Sequence, residues 1–352
     1  MRFPLIVLVL FVHSPGAFSS TRIEWGFDGW NIYHFVSAMI SQNFCAIANC
    51  WFFTFSGYLF FNNSESFGSK WIIQKWKKRI HSLLIPFIFW NILMIVCIVL
   101  KSIVFDYLHI NSDATEWEIV RNGPIYWFIT GPADYPLWFL RDLIIMTLFT
   151  PLLYVLIKRA RYFSLLIFGI MYVVPWGPKM PSILAIFFFF IGSWMRINNI
   201  NILSICRKYS TGAFIGALLL LLLATSQIGR PSHWLLLRLF IPFGMVFFMN
   251  LCDGIINHLY YREKLCKLSG TVFFIYAIHE IYILGWTKGL FLRLFGTSLP
   301  ATWAAYLFVP LVTLILCLAL FYGFYSICPQ AMAIACGKRI NTNKVELPIK
   351  RK

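Results

Sequence analysis

Acidic residues are scarce in this chain. Thirteen Asp and Glu stand against 30 Lys and Arg, and charge of both signs makes up only 12% of the 352 residues. A soluble domain carries roughly a quarter charged residues, so a chain wetted on all sides is excluded. The cysteines lack a pattern as well: there are nine, with no CxxC pair and no metal-ligand spacing. The closest pair, Cys45 and Cys50, falls in one apolar stretch, and Cys97, Cys206, Cys252 and Cys317 lie in others. A disulfide framework is excluded, and these thiols read as small core fillers. No internal repeat and no soluble domain is visible. Nothing around Ser56 in FSGY resembles an elbow turn that would make it a nucleophile. Gly57 beside it is expected to let two helices pack closely.

What the chain has instead is apolar mass. It is 60% hydrophobic and 19% aromatic, with 36 Phe, so the expected fold is an all-α, polytopic membrane helix bundle. A membrane helix needs about 20 mainly apolar residues. Ten segments come near that: 2–18, 38–61, 83–104, 137–157, 162–176, 181–197, 210–226, 234–252, 269–286 and 302–327. With the N-terminus inside, 21 of the 30 Lys and Arg fall on the inner side. They include Arg2, the run Lys70 to Arg79, Lys158 to Arg161, and six residues of the tail. Cytoplasmic loops collect positive charge, so both termini are expected in the cytoplasm, in a cell membrane. Residues 1–337 then form one membrane-embedded domain and 338–352 a basic tail. The excess charge needs no nucleic acid as partner. The lipid bilayer and an anionic cosubstrate suffice.

The outer connection, 105–136, is expected to be the longest loop. It carries Asp106, Asp113, Glu116, Glu118 and Asp134 with Trp117, Tyr126 and Trp127. Loops of that length are uncommon unless functional, so substrate contact is one reading. An aromatic belt at the membrane surface is the other.

The opening MRFPLIVLVLFVHS also reads two ways. One early positive charge, an apolar run and the small residues of GAFSS suit a cleaved signal. Removing it, however, would leave nine spans and start the chain outside. Arg2 and His13 are eleven residues apart; at about 100° per residue, eleven steps come within roughly 20° of three full turns. On a helix both side chains share one stripe, about 16 Å apart along the axis. The stretch is therefore expected to be retained as the first helix.

An arginine, ten residues and a histidine in a first span resemble the signature of the type-3 membrane acyltransferase family. Further segments agree in order: WFFTFSGYLFF (51–61), WKKRIHSLLIPFIFWNIL (76–93), PLWFLRDLIIMTLFTPLL (136–153), FFFFIGSWM (187–195) and FFIYAIHEIYI (273–283). Three features depart from it. Almost no arm precedes Arg2. Lys77, Lys78 and Arg79, then His81, stand where paired arginines are usual. The segment from Trp25 to Trp30 has no counterpart. The resemblance implies a membrane enzyme of about ten spans. It would move an acyl group, expected to be acetyl, from acyl-CoA to a hydroxyl of a carbohydrate or glycan. Acyl-CoA enters as cosubstrate, with no bound cofactor and no metal.

An imidazole can take a proton from a hydroxyl near neutral pH, so His13 is the candidate general base; taking the acyl group itself is the alternative. Arg2 is a candidate for a phosphate of the donor, or an ordinary positive-inside flank. Arg79 is a phosphate candidate too, or part of a solvated charge run. Glu280, an acid within the membrane, is expected to be functional, or else a buried partner of Arg196 or Arg238. His279 beside it is expected on a different helix face. Arg141 and Asp142, near the outer end of the fourth span, either position the acceptor or pair structurally. A transporter or flippase for a glycan or lipid is the alternative function, since intramembrane Glu280, Arg141 and Asp142 would suit a transport path. Paired halves with matching Gly/Pro breaks, a mark of many transporters, are missing.

Overall fold

The computed structural model describes residues 1–13, 26–63, 67–110, 114–174, 177–178 and 180–337. Among them every regular element is helical. The helices are α1 (Arg2–Val12), α2 (Gly29–Ser37), α3 (Ile47–Phe60), α4 (Ser69–Tyr107), α5 (Ala114–Arg121), α6 (Trp138–Leu148), α7 (Thr150–Arg159) and α8 (Arg161–Val173). They continue as α9 (Ile183–Ile197), α10 (Ile202–Lys208), α11 (Ser210–Ser226), α12 (His233–Ile256), α13 (Leu259–Leu268), α14 (Val272–Phe295), α15 (Leu299–Ile327) and α16 (Pro329–Ala335).

The chain is a polytopic helical membrane protein. The described parts of all ten apolar segments fall on helices. By length and hydropathy, three helices can cross a bilayer alone: α4, α12 and α15. The number rises to six if the bent pairs α6–α7, α9–α10 and α13–α14 each count as one span. Helices α1, α8 and α11 are apolar but shorter. The ten-segment pattern thus includes short and broken helices, which hydropathy alone does not separate from full spans. Of the first segment, Arg2–Val12 is helical and His13 caps it; residues 14–25, which include GAFSS and Trp25, lie outside the described residues, as does the tail from 338.

Helix α1 lies in the middle of the bundle, against α3, α14 and α15. Leu5, Ile6 and Leu10 are fully buried, because a purely apolar helix is solvated equally well on every face by apolar neighbours. Helices α3 and α9 pack closely against each other, and glycine permits it. A Cβ on Gly192 would sit 1.9 Å from the Thr54 carbonyl oxygen, and one on Gly57 2.1 Å from that of Phe189. Small residues let backbones approach where lipid offers no hydrophobic drive for association. All nine cysteines are free.

The 105–136 connection corrects the expected long loop. It contains α5, and a π-helical turn at Tyr126–Thr130 follows shortly after. Glu116 on α5 takes Lys101 of α4 at 2.6 Å, so this connection is docked on the bundle.

Candidate active site

The start of α1 is amphipathic only at its ends: Arg2 is exposed and the turns after it are apolar. His13 caps the helix, its N–H donating to the Leu10 carbonyl at 3.3 Å. The imidazole points at α14, where its Nδ1 lies 3.0 Å from Glu280 Oε1. With side chains 15% and 28% exposed, both are largely enclosed yet reachable. A carboxylate accepts only, so Nδ1 carries the proton and Nε2 is the basic nitrogen. The Glu280 charge would also stabilise an imidazolium if Nε2 took a proton.

His279 joins them, which corrects the expectation that it faces elsewhere. On a regular helix adjacent side chains diverge by about 100°. Here α14 is irregular from Ile278, whose φ is −103°, to Ile281, with ψ 77°, and Tyr282, with φ 61° and ψ −21°. The rings of His13 and His279 lie 5.5 Å apart between centroids. His279 is fully buried, and its Nδ1 donates to the carbonyls of Tyr276 at 2.8 Å and Ile275 at 3.1 Å. That leaves Nε2 as an acceptor, and it has no partner. One nitrogen or oxygen from each of His13, His279 and Glu280 lies within 4.8 Å of the others. By donor type the three are also the candidate ligands for a divalent ion. The 3.0 Å His13–Glu280 spacing is itself that of a hydrogen bond.

The segment before α6 closes the site on one side. Tyr135, 67% exposed, meets the His13 ring edge-on at 6.5 Å. Asp134 beside it is buried with both carboxylate oxygens unpartnered, and the Glu280 charge reaches it. Two bonds fix this segment: Asn91 Oδ1 accepts from the Ala133 N–H at 2.8 Å, and the Tyr276 hydroxyl donates to the Pro136 carbonyl.

The other sequence candidates fall in two places. Arg2 and Arg79 gather at the far end of α1, their charges within electrostatic reach, with Arg79 over the Phe60 ring at 5.7 Å. Arg141 and Asp142 form a separate buried pair. Arg141 Nη2 lies 2.9 Å from Asp142 Oδ1, and its Nη1 donates to the carbonyls of Thr130 at 2.8 Å and Ile129 at 3.2 Å. Asp142 Oδ2 accepts the Ser182 N–H at 2.7 Å. These bonds tie the Tyr126–Thr130 turn, α6 and the start of α9 together. Glu280 pairs with neither Arg196, which bonds Asn62, nor Arg238, which bonds the Tyr172 and Val174 carbonyls.

Sequence reasoning set His279 on another helix face, named Asp134 only as one acid of the 105–136 connection, and passed over Tyr135. The pair HE in FFIYAIHEIYI was a signal for His279, but only an irregular helix uses both. A buried orphan carboxylate leaves no trace in sequence.

Comparison with known proteins agrees with the resemblance. A family described as an acyltransferase domain matches residues 1–322. The succinoglycan biosynthesis protein ExoH of Rhizobium meliloti (strain 1021) is 27% identical over 173 residues, which cover 47% of this chain and 44% of that protein. The chain thus spans under half the length of that relative. No solved structure matches.

Proposed function

The chain belongs to this acyltransferase domain family, and from that premise we propose that it is a membrane O-acyltransferase with His13 as general base. The donor is acyl-CoA, with acetyl the expected group, and the acceptor is a carbohydrate hydroxyl. The observation that carries this is the 3.0 Å contact of His13 Nδ1 with Glu280 at the end of α1. A histidine held in one tautomer by a carboxylate is the equipment acyl transfer needs.

The steps follow from that geometry. His13 Nε2 takes the proton of the acceptor hydroxyl as its oxygen bonds to the thioester carbonyl carbon. The Glu280 carboxylate stabilises the imidazolium through Nδ1. The tetrahedral intermediate then breaks its C–S bond, and the leaving thiolate receives the proton from Nε2. Products are an ester and free thiol, with His13 neutral again. Arg2 and Arg79, at the opposite end of α1, suit the donor's phosphates as charge-assisted hydrogen-bond donors. On this reading the donor binds at the inner face and both termini are cytoplasmic, in line with the basic residues of the inner loops. A relative named for succinoglycan biosynthesis supports a glycan acceptor.

The test is thiol release. Membranes holding the protein, supplied with acetyl-CoA and a glycan extract, should release free thiol and add an acetyl mass to the glycan. His13→Ala membranes should do neither. Thiol release at the wild-type rate from His13→Ala would overturn the assignment.

A further inference from the structure

We infer that Glu116, Lys101 and Tyr282 form a clamp that positions Glu280 against His13, an inference that rests on the general-base chemistry proposed above. The starting point is the backbone of Tyr282. Its φ of 61° is in the left-handed region, which bulky side chains rarely occupy. Such conformations persist only where the surroundings over-determine them, and they cluster at functional sites. Tyr282 lies two residues after Glu280, and the irregular stretch it closes is the one that turns His279 and Glu280 together toward His13.

Three contacts from three helices hold the residue there, and an ion pair joins two of the contacting groups. The Tyr282 hydroxyl donates to Glu116 Oε2 of α5 at 3.1 Å. The other oxygen of Glu116 takes Lys101 of α4 at 2.6 Å. Lys101 Nζ also lies over the Tyr282 ring, 4.8 Å from its centroid. The ring stacks on Trp286 at 5.2 Å with an 18° tilt. Each oxygen of Glu116 thus has its own partner. Lys101 serves both acid and ring, as a charge and as a cation over a π face. The Lys101–Glu116 pair is largely enclosed, its side chains 15% and 22% exposed, and enclosing charges is costly even when they are paired. Here it pins the one residue whose backbone would otherwise relax to an ordinary helical turn and swing Glu280 away. Glu116, Lys101 and Tyr282 are positioning residues. They touch Glu280 only through the chain.

The test uses purified full-length protein with acetyl-CoA and a glycan acceptor. Tyr282→Phe removes the hydroxyl and keeps the ring; Glu116→Gln removes the charge. Each should lower kcat about tenfold or more, with KM for acetyl-CoA and the melting temperature in detergent unchanged. The decisive measurement is background dependence. If the clamp acts through Glu280, Tyr282→Phe should add nothing to the loss already caused by Glu280→Gln, or by Glu280→Asp should the Gln variant fall below detection. Wild-type kcat in both clamp variants while His13→Ala is dead would overturn the clamp alone. A further tenfold loss on the Glu280 background would reduce it to a structural tie. Full activity in His13→Ala would remove the general-base chemistry and the clamp with it.

Discussion

Glu280→Gln is the most informative single change, because it alters charge with little change in shape. In the wild-type protein Glu280 Oε1 sits 3.0 Å from His13 Nδ1. When Nε2 takes a proton, the imidazolium charge centre is about 4 Å from the carboxylate. At an effective dielectric near 20, two unit charges at that distance attract by about 4 kcal/mol. Converted at about 1.4 kcal/mol per decade, this is close to three decades in rate. Partial exposure of both side chains screens the pair and lowers the figure, so a loss of about 10²-fold in kcat is expected. The amide oxygen can still accept from Nδ1, so the tautomer survives and the loss reports charge alone. The Arg2–Arg79 end lies about three helical turns away, so KM for acyl-CoA should stay within about twofold. Steady-state kinetics on purified protein, with detergent elution profiles as a folding control, give both constants. A kcat within threefold of wild type in a folded Glu280→Gln protein would refute the electrostatic argument and return Glu280 to packing.

Further outcomes follow from the same geometry. His13→Ala should cost roughly 10² to 10⁴ in rate without stopping expression or membrane insertion, as read by thiol release and by blotting of membranes. Arg2→Ala should mainly raise the apparent KM for acyl-CoA; a fall in kcat at unchanged KM would place Arg2 outside the donor site. Reporter fusions should place the 105–136 connection and Lys352 on opposite sides of the membrane; signals from the same side would break the proposed topology. Gly192→Ala forces a Cβ against the Thr54 carbonyl oxygen, 1.9 Å away without adjustment. Overpacking of this kind costs about 1–3 kcal/mol, so its melting temperature in detergent should fall by several degrees while Gly169→Ala, which meets nothing within 4 Å, leaves it in place.

The helices were legible because hydrophobic runs mark where a chain can be buried in lipid, and this chain has little else. That Arg2 and His13 stand at opposite ends of one helix was legible from spacing, Arg2 opening α1 and His13 capping it. Gly57 read correctly because a small residue in an apolar run has one common use. The rest depended on departures from regularity. His279 reaches the site only where α14 loses its helical geometry, and no glycine or proline flags that place: the residue with positive φ is Tyr282. Glu280 was singled out by its cost in the membrane, but its partner is more than 250 positions away in sequence, beyond the reach of any local pattern. Arg141 and Asp142 attracted attention for the same cost, and they satisfy each other and three backbone groups instead. The 105–136 stretch looked like a loop because α5 is short and polar.

The shortness of α1 has an electrical consequence. Eleven residues rise about 16 Å, roughly half of a hydrocarbon core about 30 Å thick. If Arg2 stands at the inner surface, as proposed, His13 lies near mid-depth, inside the field of the membrane potential. An elementary charge crossing the whole field changes energy by about 2.3 kcal/mol per 100 mV, so a proton reaching His13 from one side feels about 1.2 kcal/mol. At about 100 mV that is roughly a sevenfold difference between protons arriving from the two faces. On the proposed reading, acyl transfer with its base at the surface would be indifferent to the potential, whereas here it would work part-way along it.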